Sequence, residues 1–193
     1  MAYRIAVNGF GRIGRSILRA LYESTDYPGL QIVAINDLAD IETLAHLTRY
    51  DSTHGRFLGT VEVEKVSGDL LVNGDRIAVS QTSDLNALPW QGLDVDLVME
   101  CSGAFTDRAQ AECHLQAGAR RVLFSQPAES DVDATLVYGI NHEQLSAEAR
   151  IVSNASCTTN CIVPVLKALD QSFGLLSGVI TTIHSAMNDQ PVI

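Results

Sequence analysis

Apolar and polar positions along this chain switch between two periods, and the switches mark its elements. Residues 3–8 form a short β-rich run. Residues 12–23 follow with helical spacing, which places Ile13, Ile17, Leu18 and Leu21 on one face. Pro28-Gly29 ends that segment. Residues 31–36 read as a buried strand, and residues 41–50 as a second helix. Strand, helix, strand in this order is the βαβ unit of a parallel sheet.

Between residues 60 and 81 the pattern changes. Short runs at 61–63, 70–72 and 77–79 are separated by Ser67-Gly68-Asp69 and Asn73-Gly74-Asp75. Asn-Gly between two β-rich runs is a hairpin signal, so these runs predict an antiparallel excursion at the edge of the main sheet. Alternation then resumes, with a strand at 96–100, a helix at 108–117 and strands at 121–124, 134–138 and 151–153. Residues 158–173 read as helix, with Pro164 inside, and residues 178–184 as a further β-rich run. The fold expected is α/β: a Rossmann-type domain over residues 1–153, with the antiparallel excursion, then the truncated start of an α+β catalytic domain over 154–193. There is no internal repeat and no linker, and the ending soon after a β-rich run reads as a cut in a longer chain.

Composition narrows the function classes. Among 193 residues, 46% are hydrophobic and 19% charged, which is globular and not disordered composition. The net charge of −10 argues against a nucleic-acid partner. It leaves room for one small anion site built from backbone N–H groups. No apolar run is long enough to cross a membrane, so no membrane partner is expected. The N-terminus lacks the apolar core and cleavage site of a signal peptide, which makes the cytoplasm the expected compartment. There, Cys101, Cys113, Cys157 and Cys161 are more often buried, metal-binding or catalytic than disulfide-bonded.

The segment Asn8-Gly9-Phe10-Gly11-Arg12-Ile13-Gly14 contains G-x-G-x-x-G between a predicted strand and a predicted helix. Gly9 suits a tight turn, Gly11 a backbone approached by a pyrophosphate, and Gly14 close packing of helix on strand. The pattern requires an acidic residue at the end of the second strand, and Asp37 stands there. A carboxylate at that position accepts from ribose hydroxyls and repels a 2′-phosphate, favouring NAD over NADP. The alternative is a tight turn with no ligand.

The segment Ser153-Asn154-Ala155-Ser156-Cys157-Thr158-Thr159-Asn160-Cys161 also lies between a predicted strand and helix. A cysteine at a helix N-terminus is stabilised as the nucleophilic thiolate. Ser156 and Thr158 place hydroxyls beside it, suited to an oxyanion or a phosphate. A zinc site through Cys157 and Cys161 would need further ligands at matching spacing, and none are present, so no metal is expected. Cys161, Cys101 and Cys113 are expected as buried structural thiols. His184 ends the run Thr181-Thr182-Ile183-His184 and is the candidate base for Cys157.

These motifs together resemble the glyceraldehyde-3-phosphate dehydrogenase family. The resemblance runs over all 193 residues. It implies Cys157 as nucleophile and His184 as its base, with a thioester intermediate. It maps Gly9, Arg12, Ile13, Asp37, Ser102 and Ser125 onto NAD-contacting positions. It implies a small phosphorylated aldose as substrate and a homotetramer for a full-length chain. Cys101-Ser102-Gly103 departs from the Ser-Thr-Gly more common in the family. So does Met187, where glycolytic members carry a phosphate-contacting threonine. Met187, Phe124-Ser125-Gln126-Pro127 and the segment from Tyr50 to Phe57 resemble the family members that oxidise erythrose 4-phosphate on a route to pyridoxal 5′-phosphate. Phosphorylating oxidation of glyceraldehyde 3-phosphate is the second reading. An NAD-binding module without turnover is a third, of another class.

Overall fold

In the computed structural model, which describes residues 2–185, β1 (Tyr3–Asn8) leads through the glycine-rich turn into α1 (Arg12–Glu23). Next come β2 (Leu30–Asn36), α2 (Ile41–Arg49) and a small ribbon of β3 (Tyr50–Asp51) and β4 (Gly55–Arg56). β5 (Val61–Glu64), β6 (Asp69–Val72) and β7 (Asp75–Ser80) form the antiparallel excursion. β8 (Leu97–Glu100), α3 (Arg108–Gln116), β9 (Arg121–Phe124), β10 (Ala134–Thr135), β11 (Ile151–Ser153) and α4 (Cys157–Phe173) follow, with short 3-10 turns at Leu85–Ala87 and His142–Gln144.

The main sheet runs β10-β11-β9-β8-β1-β2-β7-β6-β5. It is parallel from β10 to β7 and antiparallel from β7 to β5. The chain moves outward from β1 to β2, then crosses back to lay β8 on the other side of β1. Such a switch opens a crevice beyond the carboxyl ends of the strands. The strand ends are aligned there. Asn36 pairs with Asn8, Asn8 with Glu100, Glu100 with Phe124, and Phe124 with Ser153. Each is the last residue of its strand, so every chain leaves the sheet at the same level.

Both faces of the sheet are covered. Val7, Ile35 and Ile77 pack with Leu18 of α1 and Leu44 of α2. On the opposite face Ala6, Ala34, Val98, Val122 and Phe124 pack with Trp90 and with Ala111 of α3. A bulge keeps the two faces in phase. Ile5 pairs with Ile32 but Ala6 with Ala34, so Val33 is an extra residue on β2.

Helix starts follow their caps. Asp40, Asp107 and Ser156 precede α2, α3 and α4, and their side chains accept from the amides of Thr43, Gln110 and Thr159. α1 differs: Gly11 precedes it and no side chain caps it. At the hairpin between β6 and β7, Asn73 and Gly74 have φ of 51° and 90°, as a primed turn requires.

Several expectations need correction. Residues 178–184 are not a strand: their backbone joins no ladder among the described strands, and a β-rich segment without a neighbouring strand stays irregular. The strand expected at 134–138 shrinks to Ala134–Thr135, because the Val137 amide donates to Asn141 Oδ1 at 2.8 Å and the chain turns away. Ile13 is exposed, not on the buried face of α1. The β3–β4 ribbon carries no alternating pattern. It is closed by Asp51, whose Oδ1 accepts from the amides of Thr53 and His54 at 2.8 Å each. It is tied to α1 by Arg19, whose Nη1 donates to the Gly55 carbonyl at 2.9 Å. Met187 lies outside the described residues.

Gly14 marks where α1 crosses β1. A Cβ there would lie 2.4 Å from the Gly9 carbonyl oxygen and 3.0 Å from Val7 Cγ1. Backbone cannot give way as a flexible side chain does. Gly14→Ala is expected to cost about 1–3 kcal/mol of unfolding free energy, the usual range for overpacking, read by urea denaturation.

Candidate active site

The glycine-rich turn is built by three different constraints. Gly9 has φ of 87°, and a Cβ on it would lie 2.4 Å from the Ser102 amide nitrogen. The turn after β1 and the turn after β8 therefore touch backbone to backbone. Gly14 meets β1, as described. A Cβ on Gly11 would meet nothing within 4 Å. The space kept clear at Gly11 is on the ligand side.

That space belongs to a cleft of about 340 Å³, lined by Gly9, Gly11, Asn36, Asp37, Thr82, Ser102 and Phe105 among others. The volume is in the range of small-molecule sites. A larger groove of about 500 Å³ lies elsewhere, along Leu97, Leu123, Tyr138 and Leu145, and no expected site residue lines it.

Asp37 follows β2 at the mouth of the cleft. Its Oδ2 accepts from the Phe10 amide at 2.7 Å and its Oδ1 from the Ala39 amide at 2.9 Å. The carboxylate therefore ties the glycine-rich turn to the end of β2, and each oxygen keeps a second acceptor position. Arg12 and Ile13 sit exposed in the first turn of α1. Ser125 follows β9; its amide donates to the Glu100 carbonyl at 3.0 Å, and its hydroxyl to Gln126 Oε1 at 2.9 Å.

The uncapped α1 terminus presents amide N–H groups to an anion. With the room at Gly11 and the acidic acceptor at Asp37, these residues fit a dinucleotide. Gly9, Gly11, Asp37 and Ser102 line the cleft itself; Arg12, Ile13, Gly14 and Ser125 are not among its lining residues.

β11 delivers the second part of the site to the same sheet edge. Ser153 ends the strand, and Asn154 donates its amide to the Phe124 carbonyl at 2.9 Å. Ala155 has φ of 57°, unusual for a residue with a Cβ. That turn sends the chain into α4 with Cys157 as its first residue. Asn160 braces the turn, donating to the carbonyls of Asn154 at 2.7 Å and Ser156 at 3.0 Å.

Cys157 Sγ lies 3.2 Å from His184 Nε2. His184 Nδ1 is 2.6 Å from the Ser185 carbonyl oxygen, which can only accept. Nδ1 therefore carries the proton, and Nε2 turns its lone pair to the thiol. The hydrogen bond to His184 lowers the Cys157 pKa most, against an opposing effect of burial, the next largest influence. The charge of His184 and the amides of Thr158 and Cys157 itself add to the lowering.

Ser156 and Thr158 are placed beside Cys157, but the Ser156 hydroxyl is engaged. It caps Thr159 and lies 2.9 Å from Thr158 Oγ1. Cys161 is exposed, contrary to expectation, because it lies on a face of α4 that no described element covers. Cys101 is largely buried, and burial pushes its thiol up to about 12, an unreactive setting. Among the described residues no group of three or more His, Cys, Asp or Glu side chains could hold a metal ion. No helix of these residues is long and apolar enough to cross a membrane.

The sequence reading missed Asn8, Asn36, Glu100 and Asn160. Polar residues at the ends of apolar strands were the available signal for the first three.

Comparison with protein families gives two matches. Residues 3–108 match the model described as "Glyceraldehyde 3-phosphate dehydrogenase, NAD binding domain". Residues 156–193 match "Glyceraldehyde 3-phosphate dehydrogenase, C-terminal domain".

Two measurements follow from this geometry. Gly11→Ala should leave unfolding free energy within about 1 kcal/mol, since nothing in the chain occupies that space. NAD binding by calorimetry should weaken about tenfold, roughly 1.4 kcal/mol. For Cys157, the rate of alkylation by iodoacetamide should rise with pH around a midpoint below the free-thiol value of about 8.5. His184→Asn should move that midpoint upward.

Proposed function

The chain belongs to the glyceraldehyde-3-phosphate dehydrogenase family and binds NAD, and from that premise we propose that it oxidises D-erythrose 4-phosphate to 4-phosphoerythronate. The observation that carries the aldehyde chemistry is the 3.2 Å contact between Cys157 Sγ and His184 Nε2 at the start of α4. Its catalytic residues, in this reading, are Cys157 and His184.

His184 Nε2 takes the thiol proton, and the thiolate attacks the aldehyde carbon. A C–S bond forms as the carbonyl π bond breaks, leaving an oxyanion. The Cys157 amide and the new Nε2–H of His184 are the donors for that oxyanion. When bound, NAD supplies the hydride acceptor. Oxidation of the adduct leaves a thioester on Cys157, and water releases the acid and returns the thiol.

The choice of substrate rests on the sequence. Glycolytic members use a threonine hydroxyl where this chain has Met187. A thioether has no proton to donate to a phosphate oxygen. Losing a hydrogen bond to a charged group is worth about 1.5–3 kcal/mol. That favours hydrolysis of the thioester over its phosphorolysis and supports a role in the synthesis of pyridoxal 5′-phosphate.

The test is initial NADH formation with erythrose 4-phosphate and with glyceraldehyde 3-phosphate, each with and without inorganic phosphate. Preference for the four-carbon sugar, unchanged by phosphate, is the expected result. Preference for the three-carbon sugar with a requirement for phosphate would show the glycolytic reaction instead. In either case Cys157→Ser should abolish turnover and leave NAD binding nearly unchanged.

A further inference from the structure

Beneath the cleft lies a buried polar chain that the aldehyde chemistry does not use. Glu100 is fully buried, and all of its hydrogen bonds are received. Its Oε2 accepts from Asn8 Nδ2 at 2.6 Å and from His114 Nε2 at 3.1 Å. Its Oε1 accepts from the Ser102 amide at 2.8 Å and from the Ser102 hydroxyl at 2.5 Å.

The direction of each bond is fixed from the far end. Trp90 Nε1 can only donate, and it lies 3.1 Å from His114 Nδ1. Nδ1 is therefore the acceptor, and His114 points its Nε2–H at Glu100. On the other side Asn36 Nδ2 donates to Asn8 Oδ1 at 2.7 Å, so Asn8 points its own amide at Glu100. Glu100 has no donor to answer, and the Ser102 hydroxyl proton is drawn inward to it. The Ala104 amide also donates to Ser102 Oγ, at 3.2 Å.

The consequence lies at the cleft wall. Both donors of Ser102 face Glu100, so toward the cleft Ser102 offers only an oxygen lone pair. The uncapped start of α1 offers N–H groups to the same cleft. Donors at one place and an acceptor at another sort the parts of a ligand.

We propose that Glu100 is a positioning residue for NAD: by drawing both donors of Ser102 inward, it leaves Ser102 an acceptor only toward the cleft. Hydroxyl or amide donors of the cofactor are held there, and its phosphates are directed to the α1 terminus. The proposal rests on NAD binding alone and stands or falls independently of the aldehyde substrate.

Glu100→Gln places an amide N–H against donors, and the Ser102 hydroxyl, which can rotate, turns its proton into the cleft. Trp90→Phe breaks the same network at its far end and leaves the Ser102 contacts intact. NAD affinity is read by calorimetry and the melting temperature by circular dichroism, on the whole chain. Both variants should lower the melting temperature. Glu100→Gln should weaken NAD binding about tenfold, and Trp90→Phe by less than twofold. An affinity within twofold of the unaltered chain in Glu100→Gln overturns the proposal. So does an equal loss in both variants, which would be general loosening. If Glu100→Gln does not fold, Ser102→Ala decides. It keeps the Glu100 bond to the Ser102 amide and removes the hydroxyl, and with it the acceptor toward the cleft; at least threefold weaker binding upholds the role, and unchanged binding overturns it.

Discussion

Five neighbouring parallel strands end at one level, and the position of the site depends on that alignment. Asn36, Asn8, Glu100, Phe124 and Ser153 are register partners across the sheet. In parallel strands, register partners project to the same face at a spacing of about 4.8 Å. The turns that follow them therefore emerge side by side. Asp37, Gly9, Ser102, Ser125 and Cys157 come from distant parts of the sequence, yet all leave the same edge. The turns after β1, β2 and β8, on either side of the reversal of strand order, together line the cleft.

Alignment of this kind has to be enforced, and the polar row contributes to it. Buried Asn8, Asn36 and Glu100 would each cost about 1–3 kcal/mol if left without partners. In the register observed, they satisfy one another, Ser102 and His114. A slip of one residue would turn each side chain to the other face. The network thus penalises the wrong alignments more than it stabilises the right one. The same logic explains why Asp37 bonds the Phe10 amide: an acidic acceptor at the mouth of the cleft is also a brace between two strand ends.

Much of this was legible in the sequence where the signal is local. Helix α1 shows its period, the Asn73-Gly74 turn is specified by the residues that tolerate positive φ, and G-x-G-x-x-G states its own geometry. Cys157 at a helix start could be read because caps are short-range. What escaped depends on distant partners. The bulge at Val33 appears only when β2 is laid against β1. Residues 178–184 have strand composition, but a strand needs a neighbour. Exposure of Ile13 and Cys161 depends on which faces of α1 and α4 are covered. Glu100 at the end of a strand gave no hint of His114, since that pairing joins β8 to a helix packed across it.

Trp90 is the chain's only tryptophan, and it is fully buried. Its indole N–H ends in His114, two hydrogen bonds from the carboxylate beneath the cleft. The indole emission of this chain therefore arises from a single chromophore wired to the floor of the cleft. Energy, lifetime and quenching of that emission report one defined environment, with no second indole to average over. The chain carries its own optical probe, placed where the register of the sheet meets the cleft.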